Sequence, residues 1–146
     1  MKRTNQIILV DDEPTFIELI KEIIKTTNPA CRLKIVLSGS ELLTYLEISS
    51  RPNLILLDIQ MPGLSGFDVL KILKAVDRYK SIPVVMLSVS EQKQDIVKSY
   101  DLGANGYIVK PGQYTDLSLT MNLLNQYWFD IASTPDSSWP MPDDTY

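Results

Sequence analysis

Five short runs rich in Ile, Val and Leu, at 7–10, 33–37, 54–57, 84–87 and 107–109, are each followed by a stretch whose apolar residues repeat at helical spacing. Runs of this length with no polar alternation are what parallel strands covered on both faces require. Phe16, Ile17, Ile20, Ile23 and Ile24 mark a first helix, entered at Asp12-Glu13-Pro14, where proline suits a first turn. Leu42, Leu43 and Leu46 mark a second over 40–48, with Gly39-Ser40 as its expected entry cap. Phe67, Leu70, Leu73 and Val76 mark a third. Ile96, Val97, Tyr100 and Leu102 mark a fourth, stopped by Gly103. A fifth runs over 117–131. Parallel strands need crossover connections, so this alternation predicts an α/β fold with a doubly wound parallel sheet.

Two of the strands end in acid. Asp11-Asp12 follows the first run and Asp58 follows the third. In an open parallel sheet, ligands bind beyond the carboxyl ends of neighbouring strands, at the switch point of the strand order. Three carboxylates converging there require a cation. The formal charge of −4, with 14 basic residues scattered along the chain, argues against direct nucleic-acid binding. A single cysteine, Cys31, excludes an intrachain disulfide, and the lack of histidine removes imidazole chemistry. Both fit a reducing cytoplasm. The run at 7–10 is too short for a signal peptide core, and no other stretch reaches membrane-spanning length.

With 146 residues the chain has length for one well-cored domain. That domain is expected over 1–131, followed by a tail over 132–146. From Ser133 onward the chain holds three prolines, three acids and no base, a composition that forms neither helix nor independent core. Disorder is the expectation for it, and docking of Trp139 on a neighbouring surface the alternative.

Taken together, Asp11, Asp12, the Leu-Ile-Leu-Leu-Asp58-Ile-Gln-Met-Pro-Gly segment, the Val-Val-Met-Leu-Ser88 strand end and Tyr107-Ile-Val-Lys110-Pro111 resemble, in order and spacing, the receiver domains of two-component response regulators. The resemblance covers roughly residues 6–131, and four pieces at four strand ends make it specific. It implies a flavodoxin-like (βα)5 fold with strand order 2-1-3-4-5. It also implies that Asp58 accepts a phosphoryl group from a sensor histidine kinase or a histidine phosphotransfer protein, with Mg²⁺ held by Asp11, Asp12, Asp58 and the backbone carbonyl of Gln60. The cation answers a physical need. Two unit charges about 4 Å apart interact by about 4 kcal/mol at an effective dielectric of about 20, so a phosphate approaching several acids needs countercharge.

By the same resemblance, Lys110 pairs with Asp58 at rest and with phosphoryl oxygen afterwards, and the bond to Pro111 is commonly cis. The Ser88 hydroxyl would bond the phosphoryl group, after which Tyr107 turns inward, a two-state switch biased by a local charge. Val89 stands where relatives carry Ala or Gly, so hydrolysis is expected to be slow or the choice of phosphodonor restricted.

The fifth helix has a heptad-like stripe of Leu117, Met121, Leu124, Trp128 and Ile131, with Leu119, Leu123, Tyr127 and Phe129 on other faces. A helix apolar around so much of its circumference needs a second partner, so a homodimer interface is expected through Leu117, Met121, Leu124, Tyr127 and Trp128. The Tyr127-Trp128 pair with Pro135 also resembles the single-domain regulators that partner bacterial phytochromes. No effector domain is recognisable after Ile131. The sequence therefore predicts a phosphoacceptor signalling protein rather than a turnover enzyme, working through dimerisation or protein partners, without membrane or nucleic-acid contact. A Mg²⁺-dependent phosphohydrolase with Asp58 as nucleophile is the first alternative. Gln60 opposes it, standing where such enzymes place an acid, since an amide cannot donate and recover a proton. An unphosphorylated scaffold is the second.

Overall fold

The computed structural model describes residues 5–139. Strands β1 (Gln6–Val10), β2 (Arg32–Val36), β3 (Leu54–Leu57), β4 (Val84–Ser88) and β5 (Gly106–Val109) alternate with helices α1 (Pro14–Thr27), α2 (Gly39–Ile48), α3 (Gly66–Ala75), α4 (Lys93–Asp101) and α5 (Tyr114–Asn125). All pairings are parallel and the order is β2-β1-β3-β4-β5. The strand order therefore reverses between β1 and β3, the two strands that end in acid.

Side chains of a strand alternate between faces, and the central strands divide the core accordingly. Ile8, Val10, Ile55, Leu57, Val84 and Met86 pack with Leu42, Leu46, Val69, Leu70 and Leu73 of α2 and α3. Ile7, Leu9, Leu54, Leu56, Val85 and Leu87 pack with α1 and with Leu117, Met121 and Leu124 of α5. Every residue of β1, β3 and β4 is buried, whereas the edge strands β2 and β5 are mostly half-buried. Leu37, expected in the second strand, lies beyond its end and is exposed.

Three local expectations are corrected. Ser38, not Gly39-Ser40, caps α2, its side chain accepting the Glu41 N–H at 3.1 Å. The Lys110–Pro111 bond is trans, as are all peptide bonds among the described residues. The fifth helix is also not one helix, since α5 passes into a π-helical turn at Gln126–Ile131 that closes with Ala132 N–H donating to the Tyr127 carbonyl. Each residue of such a turn advances less around the axis than an α-helical one. The apolar stripe accordingly loses register, and Ile131, expected to continue it, is exposed.

The described part of the tail is docked. Arg51 N–H donates to the Ser137 carbonyl at 2.7 Å, and the Trp139 indole N–H donates to the Ser49 carbonyl at 2.6 Å. The guanidinium groups of Arg51 and Arg78 lie 5.2 and 4.8 Å from the centroid of the Trp139 ring, which meets Tyr79 edge-on. Composition suggested disorder because it counts the missing helix and core formers. It does not weigh one large aromatic with two cations waiting for it. The rest of the tail, 140–146, lies outside the described residues. No helix among the described residues is long and apolar enough to cross a membrane.

Candidate functional site

The hydrogen-bond ladder of the sheet runs one residue past the strands, and that extension sets the site. Asp11 N–H donates to the Val36 carbonyl, Asp58 N–H to the Val10 carbonyl, each at 3.1 Å, and Lys110 N–H to the Ser88 carbonyl at 2.7 Å. The first residue after each of β1, β3 and β5 is thereby fixed at one end of the sheet. Asp11 and Asp58 are buried and Asp12 is exposed, with one carboxylate oxygen from each lying within 4.8 Å of the others. Three anionic oxygen donors this close suit a hard divalent cation. Gln60 lies beside them, its N–H donating to Asp58 Oδ1 at 3.4 Å.

Lys110 fills the gap between the acids. Its ammonium is 2.7 Å from Asp11 Oδ2 and 3.4 Å from Asp58 Oδ2, so its nearer partner is Asp11 rather than the expected Asp58. It also lies 4.2 Å from the Phe16 ring centroid. Burial pushes the Asp58 carboxyl above the ordinary carboxylate value; Lys110 opposes that shift and the neighbouring Asp11 adds to it. The carboxylate is thus basic for its type, partly dry and held beside a cation.

Ser88 is fully buried at the end of β4, where its Oγ accepts the Ser90 N–H at 3.2 Å. Tyr107 is half-buried, and its hydroxyl donates to the Ser90 carbonyl at 2.8 Å. Val89, between Ser88 and Ser90 in the chain, is exposed. The structure therefore brings Asp11, Asp12, Asp58 and Lys110 into one cluster and joins Ser88 to Tyr107 through Ser90.

A model of the response regulator receiver domain matches residues 7–136. The chain belongs to that family. It is 33% identical over 135 residues to the response regulator Rcp1 of Synechocystis sp., across 88% of this chain and 92% of Rcp1. The structure of the phosphorylated cyanobacterial phytochrome response regulator RcpA matches with a TM-score of 0.87 at 34% identity, covering 92% of this chain and 100% of RcpA. The Mn(2+)-bound form of Rcp1 matches with a TM-score of 0.83 at 33% identity, covering 90% of this chain and 99% of that one.

In this receiver domain two further residues hold the site and were not singled out from sequence. Glu13 caps α1, accepting the Thr15 and Phe16 N–H groups at 3.0 and 2.6 Å, and these bonds, that from Phe16 first, hold its carboxyl below the ordinary value. It is thereby committed to the helix rather than to the acid cluster. Gly66 begins α3 behind Asp58, with its N–H donating to the Ile59 carbonyl at 2.8 Å. A Cβ there would strike the Asp58 carbonyl and come within 2.7 Å of Ile59 Cα. The legible signal was Ser65-x-x-Asp68, whose side chains form a capping box at that helix start. Gly66→Ala is expected to push the Asp58 segment out of place, costing about 2 kcal/mol as an overpacking substitution against backbone. Urea denaturation checks the stability, and metal titration of the folded variant checks the site.

The interface expected on the fifth helix needs correction. Leu117, Met121 and Leu124 are buried in the molecule's own core, and Trp128 packs half-buried against it. The stripe read as a partner face is the core-facing side, as residues at helical spacing usually are. Tyr127 alone of the five is exposed, as are Leu119, Leu123 and Ile131.

Proposed function

We propose that this chain is a phosphoacceptor of two-component signalling, taking a phosphoryl group on Asp58 from a phosphohistidine of a sensor kinase or histidine phosphotransfer protein. The observation that carries this reading is the cluster of Asp11, Asp12, Asp58 and Lys110 at the switch point of the sheet. A carboxylate oxygen of Asp58 attacks phosphorus, the O–P bond forms as the N–P bond to imidazole breaks, and the imidazole takes up a proton. In this reading Lys110 would neutralise a phosphoryl oxygen in place of a carboxylate, and Ser88 would donate its hydroxyl to another. Mg²⁺ held by Asp11, Asp12, Asp58 and the Gln60 carbonyl would supply positive charge against the repulsion between acid and phosphoryl group. Relatives solved with phosphoryl modification, RcpA, and with Mn(2+), Rcp1, support the reading.

The test is intact-mass spectrometry after incubation with acetyl phosphate or a phosphorylated sensor kinase. An adduct of about 80 Da, one phosphoryl group, is expected in Mg²⁺ and not in EDTA. No adduct from either donor would favour the unphosphorylated scaffold.

Output is proposed to run through protein contacts, including a homodimer. The exposed Leu119, Leu123, Tyr127 and Ile131, with Val97 and Tyr100 of α4, favour that surface over the buried stripe. Leu123→Glu is expected to weaken self-association by about tenfold or more, as a charge placed in an apolar contact should, without loss of metal binding. Sedimentation velocity measures it, and an unchanged profile for a chain that does dimerise would reject this face.

A further inference from the structure

At the opposite end of the sheet from the acids, a cavity of about 690 Å³ lies between the residues that enter β1 and β3, the turn after α1 and the last turns of the fifth helix. Its size falls within the range of about 300–1,000 Å³ common to small-molecule sites. Five of the chain's six asparagines line it, Asn5, Asn28, Asn53, Asn122 and Asn125, together with Gln126. Four separate stretches of chain bring these carboxamides to one place. Asn125 is the informative one. It is 6% exposed, one turn on from Met121 of the core, and neither its amide oxygen nor its amide nitrogen has a hydrogen-bond partner among the described residues. Leaving a buried amide unpaired is unfavourable, and a leucine at that position would avoid the penalty. Asn53 has part of its capacity spoken for, since its Oδ1 accepts the Gln6 N–H at 2.8 Å, so only its N–H donors are left to give.

Among the described residues that line the cavity, Asp130 carries the only charge. A phosphate or carboxylate would find no cation there, which disfavours anionic ligands. Asp130 stands five residues after Asn125. In an α-helix of 3.6 residues per turn that spacing points two side chains about 140° apart. The π-helical turn at Gln126–Ile131, with its i→i+5 repeat, is what brings both to this cavity. Half-buried Phe129, packed against the core between α1 and α5, adds an apolar wall. We propose that this cavity binds a neutral polyhydroxylated molecule of mono- or disaccharide size, with Asn125 as its buried anchor. A carboxamide presents an acceptor and two donors side by side, and two adjacent hydroxyls, each both donor and acceptor, satisfy both kinds at once. Amides arriving from four stretches of chain suit hydroxyls that radiate from a ring, whereas a nucleobase holds its polar groups in one plane. Asp130 adds an acceptor for a further hydroxyl, and Phe129 a surface for the C–H face of the ring. The site is separate from the acids at the other end of the sheet, so its occupancy does not require phosphorylation.

The test follows the side-chain amide signals of the full chain by ¹H–¹⁵N NMR while glucose, galactose, mannose, ribose, sucrose and trehalose are each titrated to millimolar excess, with adenosine as the nucleobase control. At least one sugar is expected to shift the Asn125 and Asn122 amides along a saturable curve. Asn125→Leu should lose that binding while melting no lower than wild type without sugar, because it exchanges an unpaired amide for an apolar group of similar size. Asn122→Ala, at an exposed lining position, should fold as wild type and weaken binding about tenfold, as the loss of one or two hydrogen bonds does. Sugars also stabilise proteins by exclusion from their surfaces. A rise in melting temperature that is the same in wild type and both variants therefore counts as no binding. Silence of the amide signals with all six sugars overturns the proposal. So does a saturable shift that survives both substitutions, which places the ligand elsewhere, and so does a response to adenosine alone, which assigns the cavity to a planar base. A lower melt for Asn125→Leu without sugar would mean that the amide is already held in the free protein, and its role as the anchor would fall.

Discussion

Asp58→Asn is expected to abolish the phosphoryl adduct while leaving the fold as stable as wild type, or more so, when metal is absent. Chemistry and stability separate at this position because they use the carboxylate oppositely. As a nucleophile it must be ionised; as a buried group in the folded chain, ionisation is what burial and Asp11 oppose, leaving its pKa raised despite Lys110. For an acid with a raised folded pKa, the folded state binds more protons than the unfolded one between the ordinary value and the raised one. Stability in EDTA therefore falls as pH rises through that window. The amide is nearly isosteric and carries no charge, so its advantage should be present at neutral pH and vanish as pH falls toward the ordinary carboxylate range. Adding Mg²⁺ should reverse the order, because a ligand that binds only the folded state stabilises by mass action and the wild type binds it better. Intact mass with thermal melts in EDTA and in Mg²⁺ makes the comparison. A hydroxylamine-sensitive adduct retained in Asp58→Asn would sink the site assignment.

The strand ends were legible because they needed only local information. Four buried residues followed by an acid identify both the strand and the position where its carboxylate emerges, and Asp11, Asp58 and Lys110 all occupy the first position after their strands. The faces of α5 were not legible. Periodicity gives a stripe but not what covers it, and Leu117 and Met121 read equally well as core or as interface until α1 is seen packed beside α5. The π-helical turn and the seat of Trp139 escaped for a similar reason. Arg51, Arg78 and Tyr79, which meet that indole, lie far from it in sequence and next to it in space.

Lys110→Ala should be the most destabilising single change in the site, by about 3 kcal/mol in EDTA at neutral pH, the usual cost of breaking a buried charge pair from one side. The Asp11 side chain is only 1% exposed and that of Asp58 9%, so neither carboxylate can recover in water what it loses when the ammonium goes. For a chain of this size that corresponds to a fall of about 10 °C in Tm. The same logic fixes how the deficit responds to conditions. Removing Lys110 takes away the influence that holds the Asp58 carboxyl down, so its pKa should climb further and the deficit should grow as pH rises from the acid range to neutrality. At low pH, protonation of one acid replaces the missing charge, and the variant should approach wild type. Millimolar Mg²⁺ should recover part of the loss at neutral pH by acting as countercharge, but not phosphorylation, if Lys110 contacts the phosphoryl group as proposed. Lys110→Arg keeps the charge and should restore most of the stability. A melt for Lys110→Ala in EDTA that overlays wild type would mean that the ammonium does not hold these acids together, and the electrostatic account of the site would fail with it.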